Sequence, residues 1–187
     1  MIVGIAGTAF RQRDNQRWLT PHRWTQIWDI YESLMPEEEF SLVSGGAAGI
    51  DQVAVLAHLF GIAGHKPALH LALPCRWQAE EQMYEFNYFG KTANYYHTEF
   101  SLKMRKDKGF SLRRIHECME SAKVTYHQGF EARNLVVGDC DLLIAATFSK
   151  TTDLVTENPE YSGTGGTWHC WRNSRAPRKV LINLLRL

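Results

Sequence analysis

The stretch "LVSGGAAGIDQVAVLAH", from Leu42 to His58, combines residue types that suit anion binding. Leu42 and Val43 read as the end of a buried strand. Ile50, Val53, Ala54 and Ala57 recur at the i, i+3, i+4, i+7 spacing of an amphipathic helix. Ser44, Gly45 and Gly46 therefore occupy a strand-to-helix turn. Glycine there removes the Cβ that would keep a ligand away from backbone N–H groups and from the positive end of a helix dipole. A phosphate-bearing guest fits such a turn, and so does a tight turn that needs glycine only for its dihedrals.

Other connections carry comparable chemistry. "GTAFR" follows the first strand candidate and offers Gly7, Thr8 and Arg11. "PCRWQ" follows the third, "HQGFEARN" the fourth, and a polar loop ending in "GTGGTW" the fifth. In an open parallel sheet, ligands bind outside the carboxyl ends of the strands. Glycines, hydroxyls and arginines recurring at that one rim point to a phosphorylated, nucleotide-like ligand more strongly than any single motif.

The elements that must position these turns alternate along the chain. Strand candidates lie at Ile2 to Ala6, Ser41 to Ser44, Ala68 to Leu73, Lys123 to Tyr126, Asp141 to Ala146 and Lys179 to Leu184, separated by helical patterns. The expected fold is α/β: a Rossmann-like three-layer arrangement with a mainly parallel sheet. Thr20 followed by Pro21 signals a helix start, and Trp24, Ile27, Trp28, Tyr31 and Leu34 give that helix one apolar face. Residues 76–122 are longer than a crossover requires and predict a helical insertion broken near Gly90 and Gly109. Its aromatics between Tyr84 and Phe100 suit either core packing or a homo-oligomeric contact. The segment from Phe148 to Gly166 reads as a loop.

Composition bounds the function. At 187 residues, 44% hydrophobic and 22% charged, the chain reads as a single globular domain spanning residues 1–187. Its formal charge of +1 argues against nucleic-acid binding by bulk charge. Lys103, Arg105, Lys106, Lys108, Arg113 and Arg114 stand against only Asp107, a local basic stretch that suits a solvated helix face or a backbone-tracking surface. No apolar run approaches the roughly 20 residues that span a bilayer, and no basic segment precedes "MIVGIAG", so the expected location is cytoplasmic without membrane association. The four cysteines form no CxxC pair and the eight histidines show no metal spacing, so neither a metal nor a resident cofactor is expected. Cys75 reads as a packed turn residue. There is no Gly-x-Ser-x-Gly elbow, no Walker lysine and no G-x-G-x-x-G.

Together, "SGGAAGID", "LPCRWQ", "FEARNLVVGDCDLLIAA" and "GTGGTW", in this order and after these strands, resemble the SLOG superfamily of Rossmann-like domains, which includes the DprA, LOG and YpsA-like proteins. The likeness spans nearly the whole chain. It is closest to the YpsA-like branch, whose pattern places Pro-Cys-x-x-Gln after the third strand, Arg-Asn before the fifth and Gly-Gly-Thr before the last helix. The resemblance implies an ADP-ribose-like or cyclic-nucleotide ligand, bound by a sensor or a sequestering protein. Gly45 and Gly46 would line one phosphate, and Gly165, Gly166 and Thr167 another. Arg133 and Asn134 would face the ligand between them, and Gly7, Thr8 and Arg11 would complete the wall. Gln78 falls on the Pro-Cys-x-x-Gln pattern. Asp51 suits a ribose hydroxyl or helix-end electrostatics. Trp168 suits stacking against a base or packing of the last helix.

LOG enzymes hydrolyse an N-glycosidic bond with a glutamate three residues after their Gly-Thr. Here Cys170 stands at that position, which makes nucleotide N-glycosidase activity the alternative, with Asp51, Glu131 or Glu157 as replacement carboxylates. DprA-like single-stranded DNA binding along Lys103 to Arg114 is a second alternative. Under the leading expectation, Gly46→Val and Arg133→Ala each abolish ligand binding and leave the fold intact.

Overall fold

The computed structural model describes residues 1–10, 18–161 and 165–187. Six parallel strands form the sheet: β1 (Ile2–Gly7), β2 (Ser41–Ser44), β3 (Ala68–Leu73), β6 (Lys123–Tyr126), β7 (Leu142–Thr147) and β9 (Arg178–Asn183). All six lie within one residue of the expected positions. A short strand β8 (Val155–Glu157) joins β9 antiparallel, and the order is β6-β3-β2-β1-β7-β9-β8. The result is an α/β Rossmann-like fold with a mainly parallel sheet. β8 lies inside the expected loop; its Val155 and Thr156 pair with Ile182 and Leu181 and cover the open edge of β9.

Alternation along the strands separates two cores. Leu142, Ile144 and Ala146 of β7 join one cluster, and Leu143 and Ala145 the other. The first cluster takes Ile27 and Tyr31 of α1 (Pro21–Leu34), Val53 and Ala57 of α2 (Gln52–Phe60), and Leu112 and Ile115 of α4 (Phe110–Cys118). The second takes Val137 of α5 (Phe130–Gly138) with Cys170 and Trp171 of α6 (Gly165–Asn173). With both faces covered, all six residues of β7 are buried, which explains its unbroken apolar run.

Thr20 caps α1 as its sequence implies: the Arg23 amide donates to Thr20 Oγ1 at 3.2 Å, and Pro21 fills the first turn. Thr20→Ala should therefore cost about 1 kcal/mol and lower Tm by roughly 2–4 °C in a thermal melt.

The insertion comprises a two-stranded hairpin, β4 (Trp77–Gln78) with β5 (Met83–Tyr84), then α3 (Tyr88–Lys103) and α4. Gly109 does separate the two helices. Gly90 does not break one: it lies in the first turn of α3, where its amide donates to the Asn87 cap at 2.8 Å. A Cβ at Gly90 would come within 1.9 Å of the Glu85 carbonyl oxygen, so close packing rather than helix termination requires the glycine.

From β1 the chain winds outward through β2 and β3 to β6, then crosses back to β7 on the other side of β1. The β1/β7 junction is thus the topological switch point, where the turns diverge and leave a crevice.

Candidate functional site

A cleft of about 890 Å³ opens at this junction. Gly7, Thr8 and Ala9 form its floor beyond β1, and Gly45, Ala47 and Ala48 border it beyond β2. Gly7 is needed because a Cβ would fall 2.3 Å from that of Ile50, whose amide donates to the Thr8 carbonyl at 3.2 Å. Two helix N-termini face the same space. Gly129, Phe130 and Glu131 come from the start of α5, and Gly165, Gly166, Thr167 and Trp168 from the start of α6. Asn134 Nδ2 donates to the Gly166 carbonyl at 3.0 Å and fixes the two helix starts together.

At the base of the cleft, Arg133 Nη1 meets Asp51 Oδ2 at 3.1 Å, with both side chains at least nine-tenths buried. The pair depends on Gly45, since a Cβ there would lie 1.5 Å from Arg133 Nη1. The same carboxylate oxygen accepts from the Ala47 amide at 3.2 Å, and the Gly46 amide donates to Ser44 Oγ at 3.3 Å. The Gly46 amide, expected to meet a phosphate, is thus satisfied within the protein, as is that of Ala47. Asp51 supplies an internal anion, held by Arg133 rather than by helix-end electrostatics alone. Burial raises its carboxyl above the ordinary value, against the opposing pull of Arg133 and of the Ala47 and Gly7 amides. Arg133 Nε is buried with no hydrogen-bond partner. Arg133 borders the cleft together with the carboxylates of Asp51 and Glu131, and its unused N–H offers a donor to an acceptor bound there.

Gly46 lies beneath the cleft and anchors the insertion. Its carbonyl accepts from Tyr84 Oη at 2.9 Å and from His97 Nε2 at 3.1 Å, while Ser111 Oγ donates to His97 Nδ1 at 2.8 Å. Burial pushes His97 down to about 3, so the imidazole is neutral, with its proton on Nε2 facing the carbonyl. Gly46 has φ +61°, and a Cβ would press on Leu73 Cδ2 at 2.8 Å. Gly46→Val therefore strains the backbone and this network, contrary to the expectation that it leaves the fold intact. Ser44 is likewise buried below the surface of the cleft.

The remaining expected residues are distributed unevenly. Gln78 is exposed on β4 and does not border the cleft. Arg11 lies outside the described residues. Cys170, at the position of the LOG glutamate, is 1% exposed and packs between α6 and the sheet, where burial pushes its thiol up to about 12. Glu157 of β8 pairs with Arg178 of β9 and does not border the cleft, whereas Glu131 does. Within the basic stretch, Arg113 pairs with Asp107 at 2.6 Å, Arg114 with Glu117 at 2.5 Å, and Lys103 donates to the Phe10 carbonyl. All four cysteines are free and buried. Among the described residues, no helix is long and apolar enough to cross a membrane.

Sequence reasoning missed the aromatic wall. Tyr88, Phe89, Thr92, Ala93 and Tyr96 of α3 border the cleft at i, i+1, i+4, i+5, i+8, a helical stripe legible in "YFGKTANYY". His169 also faces the cleft, with a buried Nδ1 that has no partner. Comparison with protein-family models, curated proteins and solved structures returns no significant match to this chain.

Proposed function

We propose that the protein binds a nucleotide-derived small molecule, ADP-ribose-like or a cyclic nucleotide signal, at the carboxyl edge of its sheet, and acts as a sensor or a sequestering protein. The observation that carries this reading is the unpartnered Arg133 Nε, buried beside two helix N-termini in one large cleft. Helix N-termini favour negative charge, a guanidinium offers further donors to phosphate oxygens, and flat aromatic walls suit a base. The glycine motifs shared with SLOG domains support the same ligand class.

Mass spectrometry of small molecules released from the denatured, purified protein tests the reading, followed by calorimetric titration with ADP-ribose. Arg133→Lys keeps a cation opposite Asp51 but removes the fork, and should weaken ADP-ribose at least tenfold without changing the circular dichroism spectrum. Equal affinity in that variant would place the ligand elsewhere. Hydrolysis is the second reading, favoured by Glu131 and His169 bordering the same cleft. It predicts release of free base from a nucleoside monophosphate, abolished in Glu131→Gln.

A further inference from the structure

Resting on the nucleotide reading above, we infer that the cleft takes a two-headed ligand, two planar heterocycles joined by an anionic linker, and that α3 of the insertion builds the subsite for one of them. The cleft has aromatic surfaces on both sides of its donors. On one side, Phe89 of α3 meets Phe130 edge-to-face at 5.6 Å, and Tyr88 meets Phe89 at 5.4 Å. On the other, Trp168 of α6 meets Tyr161 at 5.2 Å. All five rings border the same space.

Topology separates the two groups. The Gly129 amide donates to the Pro74 carbonyl at 2.9 Å, which places the Phe89–Phe130 pair just beyond the end of β3. Trp168 begins α6, which packs on β1 and β7. The order β3-β2-β1-β7 puts two to three interstrand steps of about 4.8 Å, roughly 10–14 Å, between the two ends. Arg133, whose guanidinium lies against Gly45 just past β2, sits between them, and Asn134 ties the two helix starts together. A single base with its phosphates would contact one aromatic group and leave the other half-exposed to water.

The Phe89 end is built rather than incidental. Gly129 has φ +94°, and a Cβ on it would lie 2.7 Å from the Phe89 ring, so the ring rests directly on the turn that starts α5. Arg133 Cζ lies 5.8 Å from the centre of the Phe130 ring, which links this end to the anion donors. Phe89 packs against the first core and Trp168 against the second. At about 890 Å³ the cleft sits near the upper end of the roughly 300–1,000 Å³ typical of small-molecule sites.

Calorimetric titration of the full chain with diadenosine diphosphate and with ADP-ribose tests this, because the two probes differ by one base. Diadenosine diphosphate should bind at least tenfold more tightly, and Phe89→Ala should cut that advantage to less than twofold. Tyr88→Ala, at a side chain 77% exposed and so without cost to the fold, should reduce it as well. Equal affinities for the two probes in the wild-type chain, or an undiminished advantage in both variants, would overturn the two-headed ligand and leave the nucleotide reading standing. If neither probe binds, the ADP-ribose form of the nucleotide reading fails and this inference falls with it.

Discussion

Arg133→Ala should lower the unfolding free energy at neutral pH by roughly 3–5 kcal/mol, because it strands the Asp51 carboxylate in a site 3% exposed. Urea unfolding read by tryptophan fluorescence measures the loss. The double variant Asp51→Asn/Arg133→Gln should recover much of it, since neither residue then buries a charge. The expectation that Arg133→Ala removes only the ligand therefore gives way to one in which fold and ligand suffer together, and Arg133→Lys becomes the cleaner binding probe. The pH dependence follows from the direction of the Asp51 shift. Burial raises its native value above the ordinary carboxylate value of 3.8, so the native state holds the proton more tightly than the unfolded chain. The stability this contributes is present in full below about pH 3.8 and is lost as pH rises through the native value. Removing Arg133 takes away the attraction that opposes burial and extends the window upward. The penalty of Arg133→Ala should accordingly shrink on acidification. A penalty independent of pH would mean that Asp51 is not the group left uncompensated.

The strands were legible because a parallel sheet buried on both faces writes itself as short apolar runs between helical patterns. "LLIAAT" in β7 and "LVS" in β2 are of this kind. The turn glycines were legible as well, because few other residues fit where the backbone is crowded or φ is positive. Their reasons were not. Gly45 makes room for an arginine 88 positions further along the chain, and Gly46 offers its carbonyl to Tyr84 and His97. Both facts depend on non-local packing that no window of sequence contains. β8 escaped notice because three residues among polar neighbours carry too little alternation to register. The α3 wall had a readable period, but its apolar residues face both the first core and the cleft. A hydrophobic stripe by itself does not distinguish burial against protein from burial against a ligand.

Two glycine substitutions separate the internal anion from the external one. Gly45→Ala places a methyl carbon on the Arg133 guanidinium, at 1.5 Å from Nη1. That end of the side chain can move, but only by leaving Asp51, so the variant should approach the instability of Arg133→Ala and lose ADP-ribose affinity by more than tenfold. Gly166→Ala meets nothing closer than Asn134 Nδ2 at 3.4 Å, an ordinary contact. Because the residue is helical, alanine there should leave stability unchanged or raise it by up to about 1 kcal/mol. Its methyl group nevertheless projects beside the amides at the start of α6, where the ligand's phosphate has to approach to within hydrogen-bonding distance. The expected result is a thermal melt at or above wild type together with at least a tenfold loss of ADP-ribose affinity. Should Gly166→Ala bind as tightly as wild type while Gly45→Ala does not, the anion is held by Arg133 and the α5 terminus, and the α6 terminus takes no part.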